Sequence, residues 1–424
     1  MDTASVLGRA YRPRLIDAEL RRALAAPGAV VIEGARATGK TMTGVHAAAS
    51  YVFLDEVESR NLLEIAPRAL LDGAAPRLLD EWQTAPDLWN LVRRAVDASA
   101  EPGRFILTGS AVPPDDLTRH TGAGRFLRLR ERTMTWAEKL DSSPTQVSLA
   151  QLFEARAPQT DSVTPDLEFV IDSLLRPGFP GMTELTQAQS GDRLRGYIDD
   201  VARTDIRRLA DVRHEPEVIK QLIAALARSV ASEVAHKTLA SDVRAVAPSI
   251  DEETISRYLG LLQRLFIVEA QRPWTPALRS RARVRRSPKL HLVDPALAAA
   301  ALGAGPSQLM GDLHTLGALF ESAVIHDLTV FASTLGGAVR HYRDSNGREI
   351  DAIVTLPDGR WGAVEIKLGG RQLASAVASL AAAIDQIDLD ASGAPAFRLV
   401  VTGTGPVVVT DDGTVSTPLS SLAP

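Results

Sequence analysis

Residues 29–41 read AVVIEGARATGKT. Ala29 to Glu33 has the pattern of a short buried strand, and the chain from Lys40 to about Ala49 that of a helix. Between them Gly34, Ala35, Arg36, Ala37, Thr38, Gly39, Lys40 and Thr41 fit G-x-x-x-x-G-K-[ST], placed after a strand and opening a helix. The glycines let backbone N–H groups curl around a phosphate, and the helix N-terminus adds partial positive charge. The spacing puts Lys40 at the β and γ phosphates and Thr41 on a Mg²⁺ ion, so ATP and Mg²⁺ are the expected cofactors.

Further short apolar runs follow at Tyr51 to Leu54, Arg77 to Leu79 and Arg104 to Thr108, alternating with helical stretches. That order predicts an α/β domain with a parallel sheet and crossovers, ending near Leu140. The run Leu78-Leu79 ends in Asp80 and Glu81, about forty residues after the glycine loop. At such a strand end Asp80 holds Mg²⁺ through water and Glu81 activates the attacking water. Thr108 closes the next strand, where its hydroxyl can meet the γ-phosphate or the lytic water, or simply cap the strand. Arg125 is read either as a finger acting in trans or a sensor, or as a solvated arginine.

The remaining chain reads as three more units. Residues 141–216 are a linker and helical region, with Asp141 to Thr164 rich in Ser, Pro, Thr and Gln. Residues 217–300 carry two helices, Thr238 to Ala247 and Glu252 to Val268, with a capping-box pattern at Ser249 and Glu252, then an arginine strip and the strand KLHLVD. Helix, turn, helix and hairpin is a winged-helix layout. Residues 301–424 alternate helix and strand as a second, smaller α/β domain. Within the first unit, 1–140, Trp82 and Trp89 are expected to serve packing.

Composition narrows the function. The 424 residues carry 45% hydrophobic and 23% charged residues and a net charge of −5, so no global basic field draws nucleic acid or anionic lipid. There is no cysteine, which removes disulfides and thiolate metal sites. The eight histidines show no metal spacing, and with no cysteine no zinc site is expected. No secretory h-region and no run of about 18 uncharged apolar residues is visible, so a cytoplasmic protein without membrane helices is expected.

The stretches GARATGKT, LLDEWQ, ILTGSA, GAGRFLRL, TWAEKL, YIDDVARTDI, SPKLHLVDPALA and EIDAIV…AVEIKLG span most of the chain. Together they resemble the bacterial and archaeal AAA-type ATPases whose C-terminal half carries a domain of unknown function. The resemblance implies an AAA fold, a winged-helix-like middle and a nuclease-like end. It departs at Arg77, where a third apolar residue is usual, and at Thr133-Met134-Thr135, where Pro-Leu-Ser is common; neither change removes a phosphate-contacting group.

In the last unit Asp351 opens a strand, and thirteen residues intervene before Glu365-Ile366-Lys367 on the next. Glu365 and Lys367, two apart on a strand, share a face. With Glu321 on a preceding helix the set resembles the PD-(D/E)XK nuclease motif, with Glu321, Asp351 and Glu365 around a metal and Lys367 beside it. The same residues can equally form a structural ion-pair cluster. Arg279, Arg281, Arg283 and Arg285 alternate, so one face of a hairpin is basic; it fits DNA phosphates or a protein contact. The expected function is an ATPase coupling nucleotide state to a DNA-associated C-terminal half. A nucleotide-gated scaffold with an inactive nuclease-like fold and an ATP-dependent endonuclease stand as alternatives, with protein partners and a homo-oligomer both open.

Overall fold

The computed structural model describes residues 1–111, 122–140, 147–156, 158, 164–209, 215–275, 287–344 and 346–424. Five strands build the first sheet: β1 (Ala29–Glu33), β2 (Ser50–Phe53), β3 (Arg77–Asp80), β4 (Phe105–Gly109) and β5 (Phe126–Arg130). Their order is β2-β3-β4-β1-β5, and every pairing is parallel. Alternation along β1 explains the two cores. Ala29 and Val31 pack with Leu79, Leu107 and Trp89 on one face. Val30 and Ile32 pack with Leu78, Ile106 and Val45 on the other. Trp82 and Trp89 are buried, and Trp89 stacks on Phe126 at 3.8 Å between centroids.

Strand β5 was not expected. Its sequence, FLRLR, carries two arginines and an exposed leucine, and it lies at the sheet edge where only one neighbour is needed. Arg125, just before β5, sits beside the start of β1 and pairs with Asp97 at 2.8 Å. Parallel strands put the phosphate loop at their opposite end, so Arg125 cannot sense phosphate within its own chain.

The stretch expected as a linker is partly structured. Val147–Ser148 form β6, followed by a helix at Leu149–Phe153, because Val147, Leu149, Leu152 and Phe153 are buried. The helical middle then runs through Leu167–Leu175, Gln187–Asp200, a π-helical turn at Val201–Asp205, Ile206–Leu209 and Pro216–Arg228. Next come helices His236–Val243 and Glu252–Arg264 and an antiparallel pair, β7 (Val268–Gln271) and β8 (Lys289–Leu292). The cap of the Glu252–Arg264 helix is Asp251, which accepts from the Thr254 N–H, and not Ser249: the extended backbone of Asp251 places its short carboxylate at the third helical amide. Arg279, Arg281, Arg283 and Arg285 lie outside the described residues.

Helix Leu313–Thr334 carries the last domain, whose strands are β9 (Ala338–Arg343), β10 (Glu349–Thr355), β11 (Trp361–Gly369), β12 (Arg398–Thr404), β13 (Val408–Val409) and β14 (Val415–Pro418). They form one mixed sheet in the order β13-β14-β12-β11-β10-β9. By length and composition the Leu313–Thr334 helix could cross a membrane, although Glu321 and Asp327 interrupt its apolar run. Here most of it is buried: Leu316, Leu319, Phe320, Val324, Leu328 and Phe331 face the core. A final strand, β15 (Leu422–Ala423), pairs in parallel with β6, so the chain's last residues are tied to the segment after the first domain.

Candidate nucleotide site and carboxylate cluster

The phosphate loop leaves β1 and curls over its end. Gly34 needs its missing Cβ: one built there would lie 2.1 Å from the Glu131 carbonyl oxygen. Gly39 has φ +113°, a conformation side chains rarely adopt, and it opens the helix Lys40–Ala47. The Lys40 ammonium is buried and donates to the Ala35 carbonyl at 2.6 Å. Burial lowers its pKa, while Glu131, Glu81 and Asp80 oppose the shift.

Parallel register brings the strand ends together at this loop. The Thr41 hydroxyl lies 3.0 and 3.1 Å from the two Asp80 carboxylate oxygens. The Thr108 hydroxyl donates to Asp80 Oδ1, and the Glu81 N–H donates to the Thr108 oxygen at 3.2 Å. Burial pushes the Asp80 carboxyl up to about 6, against the Thr108 hydroxyl that holds it down. Glu81 adopts φ +56° and so turns away from the strand. Its carboxylate accepts from Gln83 Nε2 and from Ser110 Oγ, the latter at 3.4 Å. Sequence reasoning placed Lys40, Thr41, Asp80, Glu81 and Thr108 here; Gln83 was legible only as part of the run DEWQ.

Other parts of the chain also reach the loop. Arg36 pairs with Asp205 of the π-helical turn at 2.8 Å, and the Tyr197 hydroxyl donates to the Arg36 carbonyl at 3.3 Å. The end of β5 faces both ways. Glu131 turns to the loop, where Thr43 Oγ1 and Arg14 Nη1 each lie 3.1 Å from its Oε1. Its neighbours turn outward: the Arg130 guanidinium lies 3.8 Å over the Phe266 ring, and Arg132 pairs with Glu269 at 2.9 Å. Just beyond, the Thr133 hydroxyl donates to the Val293 carbonyl at 3.1 Å, and the Trp136 N–H donates to Asp327 at 2.8 Å. Arg14 and Glu131 have no local sequence signal, and Asp205 is legible only as part of the run YIDDVARTDI.

The C-terminal cluster gathers Glu321, Asp351, Glu365 and Lys367, with one unexpected member. Lys289, on β8, donates to Glu321 at 2.9 Å and lies 3.9 Å from Asp351. Lys367 donates to Glu365 at 2.8 Å, and Asp351 accepts the Ile366 N–H at 2.8 Å. The Glu365 Oε2 atom is buried with no hydrogen-bond partner among the described residues. Burial and then the Asp351 charge push both Glu321 and Glu365 up to about 7. Among the described residues no three His, Cys, Asp or Glu side chains are arranged to hold a metal. The expected trio is thus in one place, and the cation shared by Glu321 and Asp351 is the Lys289 ammonium. Two residues along, His291 meets Ser322 at 3.1 Å and Gln271 at 3.4 Å, and its pKa falls to about 3 through burial. The alternation Lys289/His291 on KLHL was the signal for a polar strand face that needs a partner.

A parallel sheet whose strand ends carry a glycine loop, an acidic pair and a hydroxyl defines a P-loop nucleotide-binding domain. Comparison with known proteins narrows it: residues 26–140 match the AAA domain family, 168–308 a domain of unknown function (DUF8612), and 316–422 a second domain of unknown function (DUF4143). The chain thus carries an AAA domain followed by two C-terminal domains of unknown function. Uncharacterized proteins of Mycobacterium tuberculosis and Mycobacterium bovis are each 28% identical over 358 residues, covering 82% of this chain and 72% of theirs. In a solved structure of Drosophila ORC bound to DNA, a chain aligns over 68% of this one and 84% of its own length. Its identity is 15% and its TM-score 0.18, too low to bear on fold or ligand.

Proposed function

We propose that this chain binds and hydrolyses Mg²⁺–ATP and uses the nucleotide state to act on its C-terminal half. The observation that carries hydrolysis is the convergence of Lys40, Thr41, Asp80, Glu81 and Thr108 at one end of a parallel sheet. The donor set fits the cofactor. A hydroxyl and a carboxylate already in hydrogen-bond contact suit Mg²⁺, and a loop that excludes two Cβ atoms suits phosphate. Bound Mg²⁺ would neutralise phosphate charge. Lys40 would bind the β and γ phosphates, Thr41 and Asp80 would hold the ion with Thr108 fixing Asp80, and Glu81 would take the proton of the attacking water.

The coupling rests on the end of β5 and on Asp205. Three consecutive residues there touch, in turn, the middle domain, the phosphate loop and the middle domain again. A shift of the loop by even part of a hydrogen-bond length has a direct mechanical route outward. We propose DNA as the partner of the C-terminal half, through the basic strip 279–285. The second reading, a protein-binding scaffold, is favoured by Lys289, which satisfies two of the carboxylates that a nuclease would give to a metal. ATP turnover by wild type, Lys40→Ala and Glu81→Gln tests the first claim: equal turnover in all three refutes it. Cleavage and binding of branched and linear DNA with Mg²⁺ or Mn²⁺, with and without ATP, separates the partners.

A further inference from the structure

The phosphate loop is braced from behind by a segment that precedes the whole sheet. Arg14, in the run before the first sheet-covering helix, is buried, and its guanidinium meets four acceptors from three stretches of chain. Its Nη1 donates to the Thr38 carbonyl at 2.7 Å and to Glu131 Oε1 at 3.1 Å. Its Nε donates to Glu138 Oε1 at 2.9 Å, and its Nη2 to the Arg132 carbonyl at 2.9 Å. Glu131 Oε1 also accepts from Thr43 on the helix that the loop opens. Tyr11 adds to the brace: its hydroxyl donates to Asp17, and its ring stacks on His46 of the same helix at 4.1 Å.

We propose that Arg14 and Glu131 are positioning residues for the phosphate loop. They act through the backbone of Thr38 and the side chain of Thr43 and do not touch nucleotide themselves. The inference rests on the nucleotide reading of this site. The argument is geometric. In a trans peptide the carbonyl and the following N–H point in opposite directions. Arg14 draws the Thr38 carbonyl behind the loop, so the Gly39 N–H is presented on the other side, where a phosphate cradle requires donors. Gly39 packs directly on this pair and has no room for a side chain, because a Cβ there would lie 2.9 Å from Glu131 Oε1 and 3.3 Å from Arg14 Nη1. Glu131 then locks the first turn of the helix to the same guanidinium through Thr43, so loop and helix keep one relative orientation. Only a planar fork reaches Thr38, Glu131, Glu138 and Arg132 together; an ammonium group carries the charge without the reach.

The test is Arg14→Lys and Glu131→Gln in the full chain, with affinity measured for Mg²⁺–ATP and for inorganic pyrophosphate, alongside ATP KM, kcat and thermal melting. Both variants are expected to raise the dissociation constants and KM by roughly ten- to a hundredfold, the worth of a charge-assisted contact, with kcat changed less than about threefold. A purely structural role would lower the melting temperature and the active fraction while leaving KM in place. Folded variants with unaltered affinity overturn the inference. Should either variant fail to fold, Thr43→Val, which removes only the hydroxyl that Glu131 holds, carries the same comparison. Failure of wild type to bind ATP or pyrophosphate would instead overturn the nucleotide reading itself.

Discussion

Replacing Lys289 with Met probes the C-terminal cluster at its least expected member. The ammonium lies 2.9 Å from Glu321 and 3.9 Å from Asp351, with side-chain exposures of 8% for the lysine, 22% and 14% for the carboxylates. Removing one partner of a buried pair costs about 3–5 kcal/mol, and the partial exposure of Glu321 places this case at the lower end, about 3 kcal/mol. For a cooperative unit of 150–250 residues that is roughly 6–12 °C in the melting temperature. The loss depends on pH. The Glu321 carboxyl sits at about 7 in the folded protein, above its ordinary value, through burial and then the Asp351 charge. A carboxyl raised in this way penalises the fold fully above its folded pKa and not at all below its unfolded one. Taking away Lys289 raises it further, so the penalty at high pH grows. Lys289 itself is raised above its ordinary value, and its contribution is constant below about pH 10.

At pH 8 the variant therefore strands two carboxylates and shows the full loss. At pH 5.5 Glu321 is largely protonated, and the loss shrinks to that of a missing hydrogen bond, about 1 kcal/mol. Differential scanning of wild type and Lys289→Met at the two pH values, with and without Mn²⁺, measures this. An equal loss at both pH values, or no loss at either, refutes the ion-cluster account. Stabilisation of the variant by Mn²⁺, absent in wild type, would show that the ammonium occupies a cation position.

Lys40→Ala should abolish or strongly weaken ATP binding, whereas Glu81→Gln should keep binding and stop turnover, both read by titration calorimetry and phosphate release. Arg36→Ala and Asp205→Asn should each weaken the protection that ATP gives the C-terminal half against limited proteolysis, and the double variant should be no worse than either single one. If the strip at residues 279–285 binds DNA, changing Arg279, Arg281, Arg283 and Arg285 to Ala should lower the log–log salt slope of duplex binding by about one per lost phosphate contact; an unchanged slope returns the strip to another role.

What the sequence made legible follows from how local the chemistry is. Lys40 and Thr41 must follow the glycine loop directly, and the parallel sheet then aligns the ends of β3 and β4 beside it, so Asp80, Glu81 and Thr108 could be named in advance. Within the last domain the strands holding Asp351, Glu365 and Lys367 were readable from alternation, and their antiparallel and parallel neighbours brought them together. Strands β9 and β14 were missed because polar residues interrupt any period-two pattern. Lys289 reaches Glu321 across 31 intervening positions, and Arg14 reaches Glu131 across 116. The alternation of Lys289 with His291 marks a polar strand face but not its partner, and nothing local distinguishes Arg14 from a solvated arginine.

The residues that escaped the sequence share a physical trait that bears on mechanism. Arg14, Glu131, Asp205 and Lys289 are charged groups, mostly buried, whose partners lie in other parts of the chain. Arg14 and Glu131 are the pair proposed above to hold the phosphate loop in shape, whereas Asp205 and Lys289 lie outside the loop and its strand ends. Buried ion pairs add little net stability compared with apolar packing, yet they fix geometry sharply, because a displaced partner leaves a desolvated charge. Such pairs lie between the phosphate loop and the N-terminal segment and between β8 and the last domain, and a half-exposed pair, Arg36–Asp205, joins the loop to the π-helical turn. A loop that moves must break or exchange one of these pairs. The Arg130–Glu131–Arg132 run connects the first junction with the β7–β8 hairpin, and β8 carries Lys289 to the last. Double-mutant cycles across Glu131 and Lys289 would measure whether the two junctions are energetically coupled.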